Sequence, residues 1–388
     1  MEDWNAYTMG GSLEMTLPEG AKIPLSSCAK TYKVRDSQGV VWVWMSNETP
    51  PCSEKLPYFE HYSRPDLQAI STIHELPYDH SILLENFMDP AHVPISHDRS
   101  DFYSKREDAQ PLVFETIERS SRGFAGKWSK SRNPTFINFL RFEAPCALQN
   151  NHEYIDKTGR KQYVSSLFLC RPIGQGKSMV ITRFGTTLKS PVMKFLPKWF
   201  FHQNICKVLE QDMGFLSSQN EILMKEMTPV GKMYINLGSC DTWVLEYRKW
   251  KDRVGHGMPY YFGHSSISLP NEPALVEQYR AGLDAGISAS MPAKGGIADI
   301  YASNPINRYS RHVVHCKKCR DSVKGFGFWR NTLVGLAVLA VALAVLASRT
   351  QWKVLFLVSA ALFLGGQYVC YSALNLVTTN FIRSHRRL

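Results

Sequence analysis

The chain has 388 residues, and its 45 Lys and Arg against 34 Asp and Glu give a formal net charge of +11. This length suits about two to three domains, and the positive charge favours anionic partners such as membrane headgroups or an acidic substrate. A nucleic-acid partner is not expected, because no arginine-rich run with interleaved aromatics is present, and the nine cysteines include too few close pairs for a secreted disulfide scaffold.

The N-terminal stretch "MEDWNAYTMGGSLEMT" carries acidic residues and lacks an apolar core, so it resembles neither a signal peptide nor a transit peptide. We therefore expect either internal targeting or a true N-terminus that precedes Met1. The stretch "KTYKVRDSQGVVWVWMS" has β-rich segments on both sides of a turn-like "DSQG", which predicts a hairpin. Residues 51–66 are broken by proline and polar groups, which predicts a domain boundary there.

The central part of the chain predicts a mixed α and β body. Residues 101–190 alternate short strand-like runs with turns, as expected of an antiparallel sheet. Residues 199–227, "WFFHQNICKVLEQDMGFLSSQNEILMKEM", form a long amphipathic stretch without proline, which predicts a long helix.

Two apolar runs near the C-terminus predict a transmembrane hairpin. Residues 333–347 and 354–377 carry no charge, and each run with its flanks approaches the ~20 residues that a bilayer crossing needs. A buried hairpin in a soluble core is the alternative. Basic residues crowd the two outer flanks, so the positive-inside tendency predicts that the large N-terminal body and both termini lie on one side of the membrane.

The stretch "ENFMDPAHVPISHD", residues 85–98, brings several metal-capable side chains close together. His92 and His97 are five residues apart, and Asp89 stands three before the first. Two neutral imidazoles and one carboxylate on one face commonly hold mononuclear iron and leave positions open for dioxygen and substrate. A spacing of five does not give a shared face on a regular helix, but Pro94 can break or distort the turn between them. The alternative is two structural histidines in an apolar helix.

The same string resembles the iron motif of Rieske-type non-haem oxygenases, in which an Asp three before the first His and a second His five after it recur. The resemblance implies mononuclear Fe(II) held by His92, His97 and an Asp on a long downstream helix. Asp212 has such a setting, with Glu210 as a nearby rival. For Asp89 the resemblance implies a hydrogen-bonding bridge that carries electrons from a neighbouring cluster. The alternative role is a carboxylate that orients an imidazole.

Further segments, among them "LFLCRPIGQGKSM" and "DTWVLEYRKW", resemble the pheophorbide a oxygenase group of plants, and within it the protochlorophyllide-dependent translocon components. The resemblance covers residues 17–388. It implies a tetrapyrrole substrate of the chlorophyll pathway, O2, and a ferredoxin-type electron donor. It also implies a plastid membrane, with the inner envelope as the expected one and the stroma as the side of the soluble body. Related oxygenases form homo-oligomers, so a homo-oligomer is expected here too.

A Rieske [2Fe–2S] cluster needs Cys-x-His followed later by Cys-x-x-His. Neither Cys28 nor Cys52 begins such a motif, and no other cysteine in the chain does. The ligands for the [2Fe–2S] cofactor expected of the full-length family are therefore absent from this chain. We expect a truncated form of an oxygenase, and the alternatives are a chain that receives electrons from another subunit or an inactive pigment-binding form.

The stretch "HVVHCKKC" places His312, His315, Cys316 and Cys319 within eight residues, just before the first apolar run. The family resemblance implies a redox-active dithiol open to thioredoxin, and neighbouring lysines would lower a thiol pKa. A zinc site has the right residue types, although the close packing of these four makes one tetrahedral ion awkward. A free-thiol linker is the third interpretation. His202, on the predicted long helix, is expected to be a packing or surface residue.

Together these features predict an α+β fold. It comprises a truncated Rieske β-domain remnant, an antiparallel-sheet helix-grip catalytic domain with a long helix, and a C-terminal two-helix transmembrane hairpin. The predicted segments are the remnant 1–60, the catalytic domain 61–310, the juxtamembrane segment 311–330, the transmembrane helices 331–382 and the basic tail 383–388. The predicted function is O2-dependent oxidation of a chlorophyllide- or protochlorophyllide-type tetrapyrrole. The alternative is a non-catalytic redox-sensing component of a plastid membrane or import complex that uses Cys316 and Cys319.

Overall fold

A computed structural model of the chain divides into two compact units, Met1–Leu67 and Gln68–Leu388. Each unit has its own antiparallel sheet. The residues that the structure describes are 5–8, 31–44, 46, 49–100, 105–156, 158–174, 176–189, 195–226, 229–235, 238, 240–254 and 307–381. Cys28, most of the predicted Rieske remnant before residue 31, and the predicted basic tail lie outside the described residues.

The first unit contains a three-stranded sheet of β1 (Asn5–Thr8), β2 (Thr31–Ser37) and β3 (Val40–Trp44). Strands β2 and β3 form a hairpin, so the predicted hairpin is confirmed. Its two turn residues, Gln38 and Gly39, have φ angles of 55° and 75°. Positive φ at both central residues belongs to a type I′ turn, whose twist matches that of the flanking strands.

The second unit contains a seven-stranded antiparallel sheet in the order β4-β10-β9-β8-β7-β6-β5. Strands β5 to β10 each pair with the next along the chain, and β4 pairs with β10 at the other edge. This meander confirms the antiparallel sheet predicted from residues 101–190. The strand bounds are β4 Gln68–Leu76, β5 Leu112–Ser120, β6 Gly123–Lys130, β7 Asn133–Glu143, β8 Ala147–Ile155, β9 Lys161–Gly174 and β10 Lys177–Thr186.

Strand β4 has no counterpart among the sequence predictions, because two of its three buried side chains are polar. Thr72, His74 and Leu76 are all buried. The Thr72 hydroxyl lies 2.6 Å from the Thr182 hydroxyl and 2.9 Å from His74 Nε2. Buried polar atoms that have hydrogen-bond partners are tolerated. One face of this strand is therefore buried although the strand lacks the apolar alternation by which strands are identified in a sequence.

Helices cover parts of the second unit and form its C-terminal end. Their bounds are α1 His80–Phe87, α2 Val93–Ser96, α3 Lys198–Glu226, α4 Val230–Met233, α5 Thr242–Val254, α6 Lys317–Leu346 and α7 Thr350–Thr378. Helix α3 confirms the predicted long helix, and its 29 residues extend over about 43 Å. Its buried positions recur every three or four residues, as expected of a helix with one covered face.

The aromatic core of the second unit lies between α5 and the sheet. Trp243 stacks on Phe124 of β6 with ring centroids 5.8 Å apart. Trp250 meets Phe142 of β7 edge to face at 4.9 Å. The approach of Trp243 requires Gly126, because a Cβ built at that glycine would lie 2.1 Å from the indole Cη2. The segment "DTWVLEYRKW" therefore forms the helix that closes the sheet face.

Replacing Gly126 with alanine is expected to destabilise the second unit by about 1–3 kcal/mol, as overpacking of a filled core does. The added methyl would meet both the Trp243 ring and the Glu115 carbonyl oxygen, so no single flexible side chain can relieve the overlap. Denaturant unfolding of the detergent-solubilised chain measures this effect. Gly325→Ala is the matched control, because nothing lies within 4 Å of a Cβ there. Equal stability of the two variants would contradict the packing described here.

Helices α6 and α7 are long and apolar enough to cross a membrane, as expected from the two C-terminal runs. They pack on each other through small side chains, which let helix backbones approach closely. The buried small residues are Ala337, Ala340, Ala344 and Ala360. Large apolar side chains such as Val338 and Leu362 face outward, with 66% and 70% of their surface exposed. Helix α6 begins well before the apolar run, at Lys317.

Candidate metal centre

The turn after α1 brings two histidines to the two ends of one helical turn. Asp89 accepts a hydrogen bond from the Ala91 N–H at 2.8 Å, which closes a tight turn after α1. His92 precedes and His97 follows α2, which is only four residues long. Pro94 lies in the first turn of α2, where proline is tolerated, so the expectation that it breaks or distorts the turn is wrong. Because α2 ends at Ser96, His97 lies outside the regular helix, and its ring can approach that of His92 despite the spacing of five residues.

The structure brings His92, His97 and Asp212 together, although Asp212 comes from α3. His97 Nε2 lies 3.2 Å from Asp212 Oδ2, and His92 Nε2 lies 3.7 Å from the same oxygen. The three ligand atoms all lie within 4.8 Å of one another. His97 and Asp212 are buried, while His92 is partly exposed. One cation placed between them would have two imidazole nitrogens and one carboxylate oxygen as ligands.

The hydrogen bonds of both imidazoles turn their Nε2 atoms toward Asp212. His92 Nδ1 contacts the Asp89 carbonyl oxygen, and His97 Nδ1 lies 3.0 Å from Gln211 Oε1. Both partners are acceptors, so each Nδ1 donates a proton, and in the neutral form of each ring Nε2 carries the lone pair that can bind a metal ion. A partner of this kind fixes the tautomer and orientation of a metal-binding histidine. Gln211 has no signal in the sequence apart from its place beside Asp212.

The Asp212 carboxylate has one satisfied and one unsatisfied oxygen. Asn86 Nδ2 donates to Oδ2 at 3.0 Å, whereas Oδ1 is buried and has no hydrogen-bond partner among the described residues. Burying a polar atom without a partner is costly, and a cation would remove that cost. The donor set of two imidazoles and one carboxylate also matches ferrous iron. The residues therefore fit the mononuclear iron implied by the family.

Electrostatics at this cluster favour a positive charge between the ligands. Burial raises the pKa of Asp212, but hydrogen bonds from His92 and His97 outweigh burial and lower it to about 2. Burial lowers the pKa of His92, and its contacts with Asp212 and Asp89 outweigh burial and raise it to about 10. In the absence of a metal ion, a proton therefore supplies the positive charge. A divalent cation would replace that proton.

Asp89 and Glu210 occupy different environments. The Asp89 carboxylate is 29% exposed, and its Oδ2 lies 3.6 Å from His92 Nδ1. The carboxylate is thus next to the imidazole nitrogen that does not face Asp212, and both of its predicted roles stay predictions. Glu210 is buried and accepts hydrogen bonds from Arg308 and Arg311. Glu210 is therefore committed to two guanidinium groups, and the rival ligand assignment is wrong.

The juxtamembrane cysteines lie inside the protein. Cys319 is fully buried and Cys316 is 9% exposed, so these two thiols, although they form no disulfide, do not lie in an exposed linker. His315 points away, with its Nε2 3.5 Å from Glu75 Oε2. His202 of α3 takes its place, with Nδ1 3.3 Å from Cys319 Sγ and 3.5 Å from Cys316 Sγ. The expectation that His202 only packs or faces solvent misses this contact, because the partners are 114 and 117 residues apart.

The neighbours of Cys316 also favour its thiolate form. A hydrogen bond from Cys319 holds the pKa of Cys316 well below the usual value for a thiol. Hydrogen bonds from the imidazoles of His202 and His312 lower the Cys316 pKa further. A low thiol pKa favours the thiolate, which is the form that reacts with disulfides and binds metals. This cluster is therefore a second candidate for chemistry in the described part of the chain.

Comparison with known proteins supports the family assignment. The family model for pheophorbide a oxygenase matches residues 142–229, which include Asp212. The chain is 64% identical over 372 residues to the protein TIC 55, chloroplastic, of Pisum sativum, covering 96% of this chain and 67% of that protein. It is 26% identical over 367 residues to pheophorbide a oxygenase of Arabidopsis thaliana, covering 86% of this chain and 62% of that protein.

Among solved structures, that of dicamba monooxygenase bound to dicamba is similar, with a TM-score of 0.49 and 14% identity, over 62% of this chain and 73% of that one. The family model and the relative at 26% identity support the predicted resemblance to the pheophorbide a oxygenase group. The chain therefore belongs to the family of the chloroplast TIC 55 proteins and shares its central segment with the pheophorbide a oxygenases.

Proposed function

We propose that this protein is a membrane-anchored plastid oxygenase that binds Fe(II) through His92, His97 and Asp212 and oxidises a chlorophyll-type tetrapyrrole with O2. The observation that carries the proposal is the buried Asp212 carboxylate, which faces the Nε2 atoms of two imidazoles and has one oxygen without a hydrogen-bond partner among the described residues. Three protein ligands on one side of an iron leave positions for dioxygen and substrate. Bound ferrous iron would supply the reduction of dioxygen.

The protein's own side chains would hold this site in one geometry. Gln211 orients the His97 ring, and its own amide nitrogen donates to the Ser100 hydroxyl, so the amide orientation is also determined. Asn86 holds the Asp212 carboxylate from α1. Burial of His97 and Asp212 keeps bulk water from two of the three ligands. Partners of this kind raise metal affinity by about 10–100-fold each.

Electrons would have to reach the iron from outside these 388 residues, because no cysteine here begins a Rieske ligand motif. We propose that a ferredoxin-fed [2Fe–2S] cluster in another subunit, or in a longer form of the chain, is the donor. The Asp89 carboxylate, partly exposed and next to His92 Nδ1, is the proposed entry point. A homo-oligomer of the longer form that places one subunit's cluster against the next subunit's Asp89 would satisfy this requirement.

The substrate class and location are proposed on two grounds. One relative is by name an oxygenase of pheophorbide a, a tetrapyrrole, and a net charge of +11 suits an anionic substrate or an anionic membrane surface. Helices α6 and α7 would anchor the protein in a plastid membrane, for which we propose the inner envelope with the soluble body in the stroma. The basic outer flanks of the helix pair support that orientation.

Hydrogen peroxide permits a test that needs no cluster, because it carries both the oxygen atom and the two electrons of a hydroxylation. A C–H bond and H2O2 then yield C–OH and water. The iron-loaded chain, with its stoichiometry verified, is given pheophorbide a, chlorophyllide a or protochlorophyllide. We expect one of them to gain an oxygen atom by mass spectrometry. The product should fall at least about 100-fold in His97→Ala and persist in the control His152→Ala, whose ring bonds the Ile137 carbonyl on the sheet.

Three results would contradict the proposed function. Binding of a tetrapyrrole without oxidation, at full iron occupancy, would indicate a pigment-binding protein. Equal oxidation by wild type and His97→Ala would indicate that free iron causes the reaction. Absence of both binding and oxidation would favour the non-catalytic redox component.

A further inference from the structure

Four buried side chains around the start of α6 form a compact group of two sulfurs and two imidazoles. His202 belongs to α3, His312 to the irregular turn Tyr309–Val313, and Cys316 and Cys319 to the start of α6. One ligand atom from each lies within 4.8 Å of every other, and all four residues are buried. Two segments far apart in the sequence, α3 and residues 309–319, thus meet at this point. The group is separate from the His92, His97 and Asp212 cluster.

The distances within this group match one tetrahedral zinc ion. With Zn–S of about 2.3 Å and Zn–N of about 2.0–2.1 Å at a tetrahedral angle, nitrogen and sulfur ligands lie about 3.6 Å apart. Cys319 Sγ lies 3.3 Å from His202 Nδ1 and 3.3 Å from His312 Nε2. Cys316 Sγ lies 3.5 Å from His202 Nδ1. A small outward relaxation of the side chains would give metal–ligand geometry.

The tautomer of His312 is set for metal binding. Its Nδ1 lies 2.7 Å from the Ile73 carbonyl oxygen, which can only accept, so Nδ1 donates. The Nε2 lone pair is therefore free and faces Cys319. Donation of the other ring N–H to a backbone carbonyl is the usual support of a zinc-binding histidine.

A neighbouring group is a weaker candidate for the same ion. His74, Cys206 and His312 also lie close together. However, His74 Nε2 contacts the Thr72 hydroxyl, and its Nδ1 faces the guanidinium of Arg311 at 3.2 Å. Both nitrogens of His74 are thus in use, and a cation beside Arg311 would be repelled. The set with two cysteines instead supplies two negative charges when the thiols are deprotonated, which balance Zn²⁺.

We propose that His202, His312, Cys316 and Cys319 bind one Zn²⁺ ion in a closed structural site. Binding releases the two thiol protons and oxidises nothing. A Cys₂His₂ set fills all four positions of tetrahedral zinc, so the site has no place for a substrate. Its function is to fasten α3, which carries Asp212, to the first turn of α6. With zinc bound, Cys316 and Cys319 cannot form a disulfide with each other.

X-ray absorption of the zinc-loaded full chain in detergent tests the proposal directly. We expect one zinc per chain at this site, with two sulfur and two nitrogen neighbours. Sulfur ligation separates this site from the one at His92, His97 and Asp212, which has no sulfur. Cobalt(II) substitution should likewise give a thiolate charge-transfer band, which Cys316→Ser and His202→Gln should abolish.

Matched variants exclude indirect effects. His315 lies on the same segment, but its side chain contacts Glu75, and Cys170 is another fully buried thiol. The variants His315→Ala and Cys170→Ala should therefore both retain the sulfur signature. Should Cys319→Ser fail to fold, the wild-type absorption spectrum and the more exposed Cys316→Ser still decide the question. Zinc without sulfur neighbours, or a Cys316–Cys319 pair that stays fully reactive toward a thiol reagent at saturating zinc, would overturn the proposal.

Discussion

Replacing Asp212 with asparagine is expected to lower Fe(II) affinity at least about 100-fold, more than loss of a supporting partner does. The substitution keeps the size of the side chain and removes its charge. The carboxylate is the one anionic group among the three grouped ligands, so a divalent cation would lose its balancing charge. Anaerobic titration with Fe(II) against a competing chelator measures the change.

The matched control for Asp212→Asn is Asp98→Asn. Asp98 follows His97 directly, but its carboxylate accepts the Arg106 N–H at 3.0 Å and is outside the ligand group. We expect this control to bind iron as the wild type does. A second readout is the titration of His92 in the metal-free protein, whose pKa should fall when the Asp212 contact is removed. Unchanged iron affinity in Asp212→Asn would refute the assigned ligand set.

Replacing Glu210 with alanine is expected to destabilise the second unit by about 3–5 kcal/mol, as removal of one partner from a buried ion pair does. Glu210 accepts from Arg308 at 2.7 Å and 2.5 Å and also from Arg311. Both arginines are buried. Their charges would therefore remain in the interior without a counter-ion, and desolvation of an unpaired charge is costly.

Denaturant unfolding of the detergent-solubilised chain measures this loss of stability. Glu221→Ala is the matched control, because Glu221 lies on the same helix and is exposed. We expect the control to change stability by less than about 0.5 kcal/mol, as most surface substitutions do. If Glu210→Ala behaves like Glu221→Ala, the buried pairing with the two arginines does not stabilise the unit.

The parts of this fold that the sequence predicts are those with local signals. The β2–β3 hairpin, the meander and helix α3 each follow from alternation or helical periodicity within a short window. Strand β4 escapes this reasoning, because Thr72 and His74 are buried as hydrogen-bonded polar groups. A pattern search that equates burial with apolar residues cannot find such a strand.

The residues of the candidate sites likewise divide into those with a signal in the sequence and those found only in the folded structure. His92 and His97 belong to one short motif, and Asp212 follows from resemblance to a family. Gln211 and His202 become visible only when α3 is packed against its neighbours, because their contacts join positions more than a hundred residues apart. His315 attracts attention through its neighbours in sequence, but its side chain turns toward Glu75. Contacts of this kind depend on tertiary packing, which periodicity does not encode.

One helix holds both ends of the apolar hairpin. Glu210 of α3 binds Arg308, which precedes α6, and also accepts the backbone N–H of Phe381, which follows α7. Arg308 in turn donates to the Leu376 carbonyl near the end of α7. Asp212 lies two residues beyond Glu210, a rise of about 3 Å along the helix. In a bilayer, these bonds would fix the distance between the proposed metal ligands and the lipid surface. A lipid-soluble pigment would therefore meet the ligands at a constant distance from that surface.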